Sequence, residues 1–217
     1  MARIARVVIP GLPHHVTQRG NRRQKTFLCE KDYDAYIDLM AEWCGEHDVE
    51  IWAYCLMPNH IHLMAVPPTE DALARAIGEA HRRYSRMVNF REGWRGHLFQ
   101  DRFASFPMDE QHTYYAGRYI EMNPVRAELK KLPEHWRHSS ARAHLKRKND
   151  RLVKVKPLLE MVDDWREYLY EDEEAWELIR RHERTGRPLG SSAFVAGLEK
   201  KTGRDLTKKR PGPKRRR

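Results

Sequence analysis

Two hydrophobic periods alternate along the first 130 positions, and each predicts a different element. RIARVVI (3–9) and HHVTQ (14–18), separated by PGLP, read as extended segments. From 30 to 46 the apolar positions Tyr33, Tyr36, Ile37, Met40, Trp43 and Cys44 recur at helical spacing. VEIWAYCLM (49–57) and HIHLMAV (60–66) flank the dipeptide PN, which predicts an antiparallel hairpin. Leu73, Ala76, Ile77 and Ala80 place a second helix over about 70–90, opened by Thr69 and broken by GWRG. HLFQDRFASFPM (97–108) reads as a strand, and Asp109 caps a helix through TYYAGRYIEM (113–122) to Asn123-Pro124. Strand, helix, hairpin, helix, strand and helix in that order predict an α+β fold. The sheet is ferredoxin-like and antiparallel, with helices packed on one face.

Beyond 130 the pattern changes. Residues 130–156 are basic and looser, and 157–184 carry an apolar stripe at helical spacing (Leu158, Leu159, Val162, Trp165, Leu169, Trp176, Ile179) on an acidic background. A short helix, SSAFVAGLEKK, follows TGRPLG. We therefore expect a catalytic unit over 1–130, a helical C-terminal extension over 131–198 and a basic disordered tail over 199–217.

Charge sharpens that division. Of the net charge of +10, residues 200–217 supply all but one unit, with ten Lys or Arg against Asp205. A run of this kind is typical of a solvated arm that meets nucleic acid. A composition 40% hydrophobic and 33% charged is globular, and no apolar stretch reaches the ~18 residues of a membrane span. Cys29, Cys44 and Cys55 form no CxxC pair and fit reduced thiols. The expected location is the cytoplasm, in association with the nucleoid.

Two short stretches carry candidate chemistry. Side chains two apart on a strand share a face, so His60 and His62 project together while Ile61 points into the core. Neutral imidazoles bind divalent metals, but two leave a site incomplete; the plain alternative is a pair of satisfied histidines on a sheet face. On the helix, Tyr119 and Asn123 lie one turn apart on one face. Asn123 offers a carbonyl oxygen to a metal and Tyr119 a phenol that becomes nucleophilic when a cation or base favours the phenolate. Here the plain alternative is an amphipathic core helix stopped at Asn123-Pro124.

Together, His60-Ile61-His62 and the string YIEMNPVRA (119–127) resemble the single-tyrosine HUH transposases, most nearly the REP-associated tyrosine transposase branch. HVTQRGNRRQ and TGRPLGSSAFV are also similar to stretches of that group. The resemblance implies metal-dependent nicking and strand transfer on single-stranded or hairpin DNA. Tyr119 would be the nucleophile that captures a 5′ phosphate. His60, His62 and Asn123 would hold Mg²⁺ or Mn²⁺; some members carry the longer Gln in place of Asn123.

Tyr114 and Tyr115 are the competing nucleophiles, and monomer and homodimer are both compatible with the resemblance. Cations expected to hold DNA phosphates are Arg19, Arg22, Arg23 and Lys25, then Arg82, Arg83 and Arg86 with His81, then Arg102 and Arg126. Tyr84, Trp94, Phe99 and Phe103 are candidates to stack on unpaired bases. The rival readings are a metal-dependent hydrolase that activates water at the HxH pair, and a domesticated DNA-binding protein that no longer cuts.

Overall fold

The computed structural model describes residues 6–171, 179 and 187–207. Four antiparallel strands, β1 (His14–Arg19), β2 (Glu50–Met57), β3 (His60–Val66) and β4 (Ala104–Pro107), form one sheet in the order β2-β3-β1-β4. With α1 (Glu30–Glu46) after β1 and α2 (Ala72–Glu92) after β3, this is the ferredoxin-like arrangement expected from segment order.

The sheet has two differently used faces. Val16, Leu56, Ile61 and Leu63 point to one side, where α1 and α2 bury Tyr36, Ile37, Met40, Leu73, Ile77 and Tyr84 against them. The registers of Ile51 and Ala53 are shifted by a bulge at Trp52. That extra residue lets Ile51 share the face of Tyr54 and Leu56 although the strict alternation would not. The opposite face is also covered. There α3 (Glu110–Glu121) and α4 (Asn123–Arg126) lie over Ala53, Cys55, Met57, Met64 and Phe106.

Two helix ends explain the local geometry. Gly93 closes α2 in the left-handed conformation (φ 66°) that glycine adopts without strain. The Asp109 carboxylate accepts from His112 N at 2.9 Å, capping α3, and from Ser191 N at 2.8 Å. Asp109→Ala is expected to cost about 1–2 kcal/mol, read as a lowered chemical-denaturation midpoint with unchanged slope; an unchanged midpoint contradicts this role.

The chain beyond 130 returns along both sheet edges. Leu56 N donates to His138 O, Ser140 N to Tyr54 O and Lys154 N to Ile51 O, which pairs the free side of β2. Leu189 N donates to Pro107 O on the β4 side. Edges so covered do not template pairing with another chain. The short helices α5 (Ala141–Leu145), α6 (Lys156–Leu159) and α7 (Trp165–Leu169) follow, with α8 (Ser192–Thr202) near the end. Gly117 makes the approach of α7 to α3 feasible, since a Cβ there would stand 2.8 Å from the Tyr168 hydroxyl.

Several expected bounds change. Residues 6–9 are not a strand, because both sides of β1 are already taken by β3 and β4; Val7 and Ile9 pack instead with Leu198 and Leu206. The strand expected over 97–108 is confined to Ala104–Pro107, with isolated bridges from Phe99 to Gly20 and from Met108 to Leu189. The α2 cap is Asp71, held by the Thr69 hydroxyl at 2.6 Å. The single helix expected over 157–184 is divided, with Asp164 capping α7; residues 172–178 and 180–186 lie outside the described residues, as does the tail from 208. Among the described residues no helix is long and apolar enough to cross a membrane.

Candidate active site

Alternation on β3 sends His60, His62 and Met64 to the α3 face, and α3 brings Tyr119 onto the same place. The His60 and His62 rings stand 5.0 Å apart edge to face, and the Tyr119 ring meets His62 at 5.5 Å, also edge to face. The alternative of a half-exposed pair is excluded for His62, which is 2% exposed beneath the helix. Tyr119 is 4% exposed, and the Arg126 guanidinium carbon lies 4.9 Å from its ring centre.

Burial decides the protonation of the histidines. Desolvation, followed by the charge of Arg19, pushes His60 down to about 4. Desolvation also holds His62 well below the ordinary value, with His60, His15, Arg19 and Arg126 adding to it. Both rings are therefore neutral near pH 7, the form in which imidazole is a ligand. His60 Nδ1 is engaged by Asn59 Oδ1 at 2.6 Å.

Asn123 begins α4 directly after the break in the tyrosine helix. Its Nδ2 donates to Tyr119 O at 2.8 Å, which fixes the amide and sets its carbonyl oxygen at the opposite end of the group. Among the described residues no group of three or more His, Cys, Asp or Glu is placed to hold a metal ion.

The competing tyrosines are otherwise engaged. Tyr114 donates to Glu171 at 2.7 Å, and burial followed by that bond pushes it up to about 12. Tyr115 accepts from Gln111 at 3.1 Å. The ring packed against the histidines is that of Tyr119.

Two participants escaped the sequence reading. His15, on β1, lies 3.0 Å (Nε2) from His62 Nδ1 and stacks on its ring. The signal was the doublet His14-His15, whose second member alternation puts on the face of His62. Glu121, two residues after Tyr119, is fully buried and accepts from Ser140, from His144 Nδ1 (2.7 Å) and from Trp165 Nε1 (2.9 Å). No local pattern marks it.

The expected DNA contacts divide. Arg126 stands at Tyr119, and Arg19 pairs with His60 across the ladder. Arg22, Arg23 and Lys25 are exposed on the loop that follows β1. Arg82, Arg83 and Arg86 sit on the solvent side of α2, on the sheet face opposite Tyr119, and Glu79 pairs with the first two. Exposed Arg102 and Arg82 line a cavity of about 630 Å³. His81 is a core residue bonded to the Tyr36 hydroxyl at 2.7 Å, and burial pushes it down to about 3. Tyr84, Phe99 and Phe103 are buried too, which corrects their assignment as stacking candidates; Trp94 remains exposed.

Residues 9–123, a little over half of the chain and ending on Asn123, match the family described as IS200-like transposase. The chain belongs to that family. It is a DNA transposase of the single-tyrosine class. A solved REP-associated tyrosine transposase bound to a REP hairpin shares the fold, with a TM-score of 0.55 and 21% identity over 68% of this chain and 87% of the other. A chain described as a transposase from Deinococcus radiodurans is 18% identical over 62% of this chain and 98% of its own, with a TM-score of 0.39. Among curated proteins no match is found.

Proposed function

We propose that this transposase is a metal-dependent nickase and strand transferase of the REP-associated type, acting on single-stranded or hairpin DNA through a 5′-phosphotyrosine at Tyr119. The observation that carries the reading is the Tyr119 ring set edge-on to His62 with a guanidinium above it. In the solved relative the bound molecule is a REP hairpin, and the partner proposed here is DNA of that form.

The residues fit a divalent ion of the hard or borderline kind. Two neutral imidazoles and one amide oxygen suit Mg²⁺ or Mn²⁺, which retain several waters and so need few protein ligands. His60, His62 and Asn123 would hold it. With Nδ1 engaged by His15, Nε2 is the His62 nitrogen that would face the metal. When bound, the ion supplies charge neutralisation at a phosphoryl oxygen.

The chain's own groups account for the remaining steps. Arg126 favours the phenolate electrostatically and meets the incoming phosphate. The Tyr119 oxygen, its proton given up to water, attacks phosphorus in line; the O–P bond to the enzyme forms as the bond from phosphorus to the 3′ oxygen breaks, and that oxygen takes a proton back from water to leave as a 3′ hydroxyl. The phosphodiester energy is conserved in the new ester, so a 3′ hydroxyl can reverse the step and rejoin strands without ATP.

The test is incubation of the full chain with Mn²⁺ and single-stranded DNA carrying an imperfect palindrome from beside its gene, followed by denaturing electrophoresis. A covalent protein–DNA band is expected, and His60→Ala should bind the same DNA without forming it. Two free-ended products without a covalent band would establish the hydrolase reading instead, and binding with no cleavage under any divalent ion would establish a protein that no longer cuts.

A further inference from the structure

Phe90 is 90% exposed at the end of α2, the most exposed large apolar side chain among the described residues. Trp94, 42% exposed, lies just past the Gly93 cap of the same helix. The end of α2 is tied down by Arg91, which pairs with the buried Asp32; Asp32 in turn accepts from Leu28 N at 2.7 Å. The group is fixed in place, since Trp94 N donates to Asn89 O at 2.9 Å and Asn89 Nδ2 to Gly96 O at 2.9 Å.

The surroundings identify the occupant. Arg86 lies one turn before Phe90 on the same helix face, and Arg95 follows Trp94; both are exposed and in no ion pair among the described residues. An apolar protein partner would leave these guanidinium groups without a counter-charge and a lipid headgroup offers the rings no π-face, whereas a nucleic-acid strand supplies a π-face and a phosphate at every step. The chain from the patch then runs to the active-site end of the sheet. Asn21 N donates to Leu98 O, Phe99 bridges Gly20, and Gln100 N donates to Arg19 O, beside His60. Phe99 is five positions beyond Trp94, a span of at most about 18 Å, the reach of a few nucleotides.

We infer that Phe90 and Trp94 form a stacking platform for unpaired bases of the DNA strand whose phosphodiester lies at Tyr119. The inference rests on the reading of this chain as acting on single-stranded DNA, and it names the residues that would distinguish an unpaired strand from a duplex. Nothing in it requires cleavage or metal.

Fluorescence anisotropy of the full chain without divalent ion tests it, using a labelled single-stranded oligonucleotide and a labelled blunt-ended hairpin lacking unpaired flanks. The Phe90→Ala/Trp94→Ala variant should bind the single strand about 5- to 150-fold more weakly for each base it no longer stacks. Its salt dependence should be unchanged, because no phosphate contact is removed, and blunt-hairpin affinity should be retained. Phe90→Tyr, which keeps the ring, should restore the single-strand affinity to Trp94-containing protein. Equal affinity of wild type and variant for the single strand overturns the proposal, as does an equal loss on both probes. A wild-type dimer in sedimentation velocity that Phe90→Ala converts to monomer would instead make the patch a self-association surface and also overturn it. If no covalent adduct ever forms yet the single-strand defect appears, the platform stands and the nickase reading falls.

Discussion

Tyr119→Phe is expected to abolish the covalent protein–DNA adduct, lowering strand cleavage by at least ~10³-fold, while leaving DNA affinity within about twofold. The size of the effect follows from chemistry. The hydroxyl oxygen is the atom that bonds to phosphorus, and the remaining ring has no group that can replace it. The change should be nearly silent structurally. The ring keeps its edge contacts with His15 and His62 and its place under Arg126, and one lost hydroxyl costs about 1 kcal/mol. Tyr114→Phe is the matched control, because that hydroxyl is spent on Glu171; its adduct should persist. The measurement is a denaturing gel of labelled DNA after incubation with Mn²⁺, read beside a thermal melt. A persistent adduct in Tyr119→Phe would move the nucleophile elsewhere and remove the basis of the proposed reaction.

Glu121→Ala should destabilise the fold by about 3–5 kcal/mol, a large share of the roughly 5–15 kcal/mol that holds a domain together. The carboxyl is fully buried and receives Ser140, His144 and Trp165, so its removal strands the donors of His144 and Trp165, leaves Ser140 only the Tyr54 carbonyl at 3.3 Å, and opens a cavity. For a chain of this size the melting temperature should fall by roughly 6–20 °C. Glu121→Gln retains the shape and one good acceptor and should lose less. The consequences reach the site, because Glu121 lies between Tyr119 and Asn123 on the chain and ties their helix to α5 and α7. Calorimetry of the two variants checks this; a loss under 1 kcal/mol for Glu121→Ala would mean that the network contributes little.

These two residues also mark how far the sequence could be read. Tyr119 was legible because its companions are its helical neighbours, Asn123 one turn on and Arg126 shortly after. His60 and His62 were legible for the same reason on a strand, with a period of two and a turn dipeptide in front. Glu121 was not, because its partners lie 23 and 44 residues away, and neither was the bond from His15 to His62 across 47 positions. The aromatics Tyr84, Phe99 and Phe103 look like Trp94 in one dimension; only packing separates the three in the core from the one in solvent.

The order of elements, the ferredoxin-like sheet, the shared face of His60 and His62 and the nearness of Tyr119 to Asn123 were determined by residues that act over one or two turns, where backbone periodicity alone fixes which side chains share a face. The tertiary structure decided which sheet face α3 covers, that the arginines of α2 lie on the other one, and that the segment after 130 closes the edge of β2 and anchors the tyrosine helix from behind. Those outcomes depend on competition among distant surfaces for a limited apolar area, and no short window of sequence contains both competitors.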